Sequence, residues 1–424
     1  MRNQLSIYIR EIENIANKGF FYLFTSQGLI VIVGFASQFF VAGILDPADM
    51  GRIKIMQTYI NLSALICGLG FETSLLTLVS ASGDEAEKRR LYQAALLVSM
   101  GSFALLFVVL SAVSYLGIIS ADPVITRLFP LYMLFLLPLT VQNLQMAYYQ
   151  ATKRIKTMAR LQLIVKSVTV ALLIYLTYLF QLKGYIITIV VTGMLTVLIF
   201  QVGLKNIRLN RDFFSINAAL VKRMWKLAAY ALLANIVGLV TTTLDIYLVN
   251  YMIAERVEVG YYMFALTIIS VYQLVPLTIQ QVSLPYFSEQ ASDYTRWYRS
   301  YSKYNRLNHV LVALVVAAGI VTIPFLIGFA FSGKYDRSVY YFVFLAVAWM
   351  IKNSSVIKPT AIMGHGRFDI NFKVSLINFA LSLPILFVLI NFYGLDGALI
   401  GKVIAAVIYY ITTTAMFRKF NNSL

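Results

Sequence analysis

Apolar residues fill this chain in long blocks separated by short polar turns. A bilayer-crossing helix needs about 20 apolar residues. Twelve blocks qualify, bounded at 20–45, 53–79, 91–118, 127–150, 161–182, 184–204, 227–253, 260–286, 307–332, 339–362, 370–392 and 397–417. The turns between them leave no room for a soluble domain. The predicted fold is therefore all-α and membrane-integral, with twelve transmembrane helices. The pattern also repeats. QFFVAGILDPADMGRIKIMQTY is matched 209 positions later, within NIVGLVTTTLDIYLVNYMIAERVEVG, so that Gly51 falls opposite Gly260 and Asp46 to Asp49 opposite Glu255 to Glu258. Farther along the offset is 213, aligning Arg154 with Arg367 and Leu182–Gly184 with Leu395–Gly397. Six spans per half is an even number, so both halves enter the membrane with one polarity, as a parallel repeat. The expected organisation is a cytoplasmic amphipathic segment (1–19), a six-helix lobe (20–204), an interfacial linker (205–226), a second six-helix lobe (227–417) and a cytoplasmic tail (418–424).

Polar residues inside the blocks fall on single helical faces. Gln27, Gly34 and Gln38 share one in the first span; Gln57, Asn61, Gly68 and Glu72 share one in the second. The fourth carries Pro138, Gln142, Gln145 and Tyr149, the seventh Asn235, Gly238, Thr242 and Asp245, the eighth Gln273, Pro276 and Gln280. The tenth holds Lys352-Asn353-Ser354-Ser355, with Lys358 and Pro359 beyond. Such rows serve either as interhelical ties or as the wall of a wet cavity. Their recurrence on spans one, two and four, then seven, eight and ten, favours the cavity. Asp245 and Glu72 are carboxylates deep in hydrocarbon, Glu72 about 12 Å from the inner end. A carboxylate so placed can couple ion binding to a conformational change, as a proton or Na+ site at Asp245, with Glu72 second. The alternative is that Asp245 pairs with Lys352 or an outer-end cation. Lys352 is the one cation placed near mid-membrane, either as an anion contact or as a structural partner of a neighbouring acid. Lys166 and Lys402 are expected to snorkel to the headgroups. In the eighth span Pro276, and Pro285 near its inner end, are expected to mark kinks or hinge points.

Composition and charge narrow the class. At 424 residues, 60% hydrophobic and 12% charged, the chain is not a soluble globular protein. Its net charge of +17 is distributed as a topology signal. With a cytoplasmic N-terminus, 23 Lys and Arg lie in inside segments against 6 in outside turns, which puts both termini in the cytoplasm. Nucleic acid is not an expected partner. Met1 to Lys18 is polar and charged, so no cleavable signal peptide is expected there. The single Cys67 leaves no internal disulfide and no cysteine-based metal site. No cofactor is expected.

Several short motifs carry a family resemblance: ILDPADMG into the second span, GLGFETSL within it, LDIYLVNYMIAERVEVGYYMFAL, GHGRFDI and YGLDGALIG. In these the chain resembles the polysaccharide-transport flippases, relatives of the multidrug and toxic-compound extruders in one exporter superfamily. The resemblance implies a two-lobed exporter in a bacterial inner membrane, a monomer working by alternating access. Its substrate would be a polyprenyl-diphosphate-linked oligosaccharide, an O-antigen or exopolysaccharide repeat unit of the lipopolysaccharide type. Its partners would be membrane lipids, a polysaccharide polymerase and chain-length assembly proteins. Gln and Asn rows would meet sugar hydroxyls, and Lys352 the diphosphate. No bond need be broken, so a transporter rather than an enzyme is expected. Two rivals stay open: a drug/cation antiporter of the same fold, and a membrane-embedded glycan polymerase, against which the short outer turns argue.

Overall fold

A computed structural model of the protein describes residues 20–204 and 218–424. The predicted amphipathic segment 1–19, linker residues 205–217 and the side chain of Gln27 lie outside the described residues. Within them every regular element is a helix: α1 (Phe20–Ile44), α2 (Pro47–Gly68), α3 (Phe71–Ala81), α4 (Glu85–Tyr115), α5 (Pro123–Met133), α6 (Leu136–Ala151), α7 (Ile155–Gly203), α8 (Ala218–Met252), α9 (Arg256–Tyr272), α10 (Leu274–Glu289), α11 (Tyr294–Phe331), α12 (Asp336–Asn353), α13 (Ile357–Gly364) and α14 (Phe368–Asn421). Seven stretches are long and apolar enough to cross a membrane, and two bent helix pairs, α2 with α3 and α5 with α6, bring the number to nine.

Two of the helices are too long to be single spans. At 1.5 Å per residue, the 49 residues of α7 would reach about 74 Å, more than twice the ~30 Å hydrocarbon core. Each doubles back. Gln181 in α7 (φ 54°, ψ −138°) and Gly394 in α14 (φ 58°, ψ −132°) leave the helical region. Past each reversal a glycine lies on the arm it came from: a Cβ on Gly184 would overlap the Leu176 carbonyl, and one on Gly397 the Leu389 carbonyl. Each of the three pairs is separated by the 213-residue offset read from the sequence. Each hairpin thus accounts for two of the predicted spans. Together with α1, the architecture is compatible with the twelve expected.

Three other breaks have a proline as their cause. Proline removes an N–H and clashes with the carbonyl four residues back. Pro138 lies four residues after Leu134, at the 44° bend between α5 and α6. Pro276 stands in the same relation to Tyr272, where α9 gives way to α10, and Pro359 to Ser355, between α12 and α13. The 45° bend between α2 and α3 is built differently, on Leu69 and Gly70, both at positive φ. Gly70 lies so close to Ala228 of α8 that a Cβ would sit 2.9 Å from its carbonyl oxygen.

The chain forms two compact units. One comprises Met1–Val41, Ser63–Ser114 and Leu128–Leu232; the other comprises Ala42–Leu62, Tyr115–Arg127 and Leu233–Leu424. The first has a core of Phe71, Leu75, Leu91, Tyr92, Tyr149 and Phe200, joined by Met224 and Ala228 of α8. The last part of the predicted linker, from Ala218, is therefore helix: α8 starts at Ala218, not near 227, and packs through these two apolar residues. The second unit contains an aromatic core of Trp297, Tyr301, Phe287, Phe417 and Phe420. It also brings repeat-related residues into contact. A Cβ on Gly51 of α2 would lie 3.0 Å from the Gly260 Cα of α9, and one on Gly260 would overlap the Pro47 carbonyl.

Candidate functional site

The densest buried charge lies in the second unit, around Asp245 of α8. Asp245 is completely buried and both its carboxylate oxygens are engaged. Lys402, in the second arm of α14, donates to Oδ1 and also to the Thr242 carbonyl at 2.9 Å. Tyr262 of α9 donates to Oδ2 at 2.6 Å. Two more ammonium groups lie within electrostatic reach of both Asp245 and Lys402: Lys54 of α2 and Lys352 of α12. Lys352 also stands 5.6 Å from the centre of the Tyr409 ring, a cation–π distance. Three cations thus share one carboxylate. At an effective dielectric of about 20, two like charges 4 Å apart repel by roughly 4 kcal/mol. A cluster of this kind has room in its energetics for a further anion.

This arrangement bears on three expectations. Lys402 does not snorkel outward, because a fully buried carboxylate offers it more than headgroups do. Lys352 does not act alone, since Lys54 and Lys402 lie within electrostatic reach of the same carboxylate. Lys166 turns inward, its Cε and Nζ each 3.2 Å from where a Gly34 Cβ would stand. Gly34 lies on the polar face predicted for the first span, and its missing side chain is what admits the lysine. Of the two partners considered for Asp245, the structure has the outer-end cation, Lys402, and not Lys352.

The remaining candidates divide between ties and accessible groups. Gln145, fully buried, donates to the Val197 carbonyl of α7 at 3.1 Å and to Gln201 at 3.3 Å, joining α6 to α7. Gln142 faces Met146 on its own helix. Gln273 accepts from the Trp349 indole at 3.2 Å, and Gln280 from Thr360 at 3.4 Å. Asn61, Asn235 and Thr242 are exposed, while Gln38 and Gln57 are half-buried. Glu72 sits in the first turn of α3, where the helix dipole favours an anion, near Gly68 and facing Asn143. It belongs to the first unit, so Glu72 and Asp245 are not members of one cluster. Asp245 meets a sodium ion only if Lys402 or Tyr262 gives way. The described residues include no group of three or more His, Cys, Asp or Glu arranged for a metal.

Sequence reasoning passed over Lys54, Tyr262 and the Asp245–Lys402 pair. Lys54 had a signal: it precedes Gln57 by three and Asn61 by seven, on the same helical face. The other two had none, being brought together by packing alone.

The chain matches the family model for polysaccharide biosynthesis proteins over residues 16–291, well over half its length. The chain belongs to the polysaccharide biosynthesis protein family. Its fold is that of the MOP-superfamily transporters. It superposes on an inward-facing multidrug resistance MATE family transporter with TM-score 0.75 at 14% identity, covering 93% of this chain and 95% of that one. The lipid II flippase MurJ in an inward closed conformation gives TM-score 0.74 at 13% identity, over 95% of this chain and 90% of that one. A MOP-superfamily transporter from Pyrococcus furiosus, described as having a binding pocket of reverse polarity, gives 0.68 at 12% identity, over 95% and 96%. No curated protein matches in sequence. The family and the apolar spans make this chain a multi-pass membrane protein of the polysaccharide biosynthesis family.

Proposed function

We propose that the protein is a flippase carrying a polyprenyl-diphosphate-linked oligosaccharide from the inner to the outer leaflet of a bacterial cytoplasmic membrane, by alternating access. The observation that carries this reading is the excess of half-buried cations: Lys54, Lys352 and Lys402 against the single buried carboxylate of Asp245. A drug/cation antiporter would need that carboxylate free for its substrate, whereas both its oxygens are engaged. An anionic diphosphate is the complementary guest, because charge-assisted bonds from lysine to phosphate are about twice as strong as neutral ones. Exposed Asn61, Asn235 and Thr242 offer donors and acceptors for sugar hydroxyls. Asp245 is the coupling group in this scheme. Protonating it removes the charge that holds Lys402 and frees that ammonium for the diphosphate. O-antigen or exopolysaccharide units fit the family, with a polymerase and chain-length proteins as downstream partners.

The test is translocation of a synthetic polyprenyl-diphosphate glycan in proteoliposomes. The wild-type protein should move it, a soluble diphosphate glycan should compete, and a cationic dye should not. Lys352→Gln should lower the rate at least about tenfold while leaving the folded protein in the membrane, the loss expected for one charge-assisted contact. Competition by the dye alone, or full translocation by Lys352→Gln, overturns the assignment of the lysine cluster as the headgroup site.

A further inference from the structure

A second cationic site lies apart from the Asp245 cluster, wholly within the first unit. Where α3 ends, α4 begins, α6 ends and α7 begins, the chain encloses a cavity of about 260 Å³. Its wall includes Lys88, Lys153, Arg154, Thr152 and Tyr148. Lys88 is satisfied by Glu85 at 2.8 Å. Glu85 also lies on the wall and within electrostatic reach of Arg154, but neither Lys153 nor Arg154 forms a salt bridge within 4 Å among the described residues. Tyr148 is 4% exposed, and its hydroxyl has no hydrogen-bond partner among those residues although the side chain lines the cavity. The hydroxyl oxygen is not itself enclosed, so it is open to a guest in the cavity.

The internal repeat explains how unusual this cavity is. With the offsets of 209 and 213, Lys88 corresponds to Trp297, Thr152 to His365 and Leu204 to Phe417. In the second unit those three pack together: the Trp297 ring centre is 4.7 Å from that of His365 and 6.2 Å from that of Phe417. The same place in the fold is thus plugged by aromatic rings in one half and left open with cations in the other. Charge differs in the same sense. Arg367, the counterpart of Arg154, is tied to Asp369 at 2.9 Å, while two residues after Arg154 the chain has Lys156. Backbone strain points the same way. Lys153 takes φ 58°, where its counterpart Gly366 takes φ 73°. A left-handed lysine is strained relative to the ordinary helical conformation, and such outliers concentrate at ligand sites.

We propose that this cavity binds a phosphoryl group, and that its source is the headgroup of an anionic phospholipid at the inner membrane surface. Lys153 and Arg154 supply the charge, the Tyr148 hydroxyl donates to a phosphate oxygen, and the uncapped first turn of α7 adds backbone N–H groups. Cytoplasmic placement follows from the distribution of basic residues along the chain, and basic pockets on that side are suited to lipid phosphates. The site uses none of the residues of the Asp245 cluster, so neither proposal depends on the other.

Binding of short-chain phosphatidylglycerol to the full chain in neutral detergent tests this, with phosphatidylcholine and inorganic phosphate as the other arms. Phosphatidylglycerol should raise the thermal midpoint of the wild-type protein and phosphatidylcholine should not. Lys153→Gly/Arg154→Gln should weaken the apparent affinity at least about fivefold, as the loss of two surface-lipid charges requires; glycine at 153 relieves the strained backbone, so folding is retained. Lys88→Trp/Thr152→His/Leu204→Phe, which copies the plug of the second half, should abolish the effect. If inorganic phosphate alone produces the shift and saturates it, the lipid source is overturned. Equal response of the wild type and both variants overturns the site itself.

Discussion

Breaking the Asp245–Lys402 pair from either side, and then from both, tests whether the centre of the second unit is held by charge. Lys402→Met leaves a carboxylate of zero exposure with only Tyr262 bonded to it. Losing one partner of a buried pair costs about 3–5 kcal/mol, because the remaining charge is uncompensated. Asp245→Asn is milder. The stranded Lys402 side chain is 22% exposed and retains the Thr242 carbonyl, so the loss should be about 1.5–3 kcal/mol, that of a hydrogen bond to a charged group. The amide introduced by this substitution also keeps an oxygen for Tyr262. The double variant Asp245→Asn/Lys402→Met removes both charges together. It should be more stable than the sum of the single losses by about 1–3 kcal/mol, the range for residues in direct contact. Reversible unfolding in mixed micelles, followed by tryptophan fluorescence, measures all four corners of the cycle. Additivity within about 0.5 kcal/mol would show that the two side chains do not stabilise one another. Asp245→Asn should also remove ion coupling, so its glycan flux should no longer respond to a collapsed proton or sodium gradient.

Three other outcomes follow from the backbone and the topology. Gln181→Gly should stabilise the protein by about 1 kcal/mol, because residue 181 takes a conformation that glycine adopts freely and that Gly394 fills in the other hairpin; an unchanged or lower unfolding midpoint refutes this. Gly260→Ala should destabilise by about 1–3 kcal/mol or more, since its Cβ overlaps the Pro47 carbonyl, while Gly238→Ala, with nothing within 4 Å inside a helix, should cost nothing and gain up to about 1 kcal/mol. In a Cys67→Ser background, a membrane-impermeant thiol reagent added outside should label Asp46→Cys and not Lys156→Cys; the opposite pattern reverses the orientation.

Local sequence was enough to determine the helical membrane fold, the repeat and some of the places where helices break. Twenty-residue apolar blocks have one stable form in hydrocarbon, since every backbone group must be satisfied within the segment. Proline acts on the carbonyl four residues back, so Pro276 announces its break along the chain, whereas Pro285, expected to kink as well, lies within the continuous helix α10. The 213-residue offset likewise placed the two hairpins, because Gly184 and Gly397 meet carbonyls only eight residues away. What the tertiary structure alone decided is which polar groups find one another. Asp245 and Lys402 are 157 positions apart, and no periodicity links them. Gln145 and Gln273 looked alike as cavity candidates, yet one is buried against the α7 backbone and the other is exposed and accepts from Trp349. The cavity beside Arg154 was equally hidden, since its distinction lies in the absence of a ring that the other half of the chain supplies at Trp297. Spacing places a residue on a helical face; whether that face meets a carboxylate, a carbonyl or open space depends on packing against helices far away in sequence.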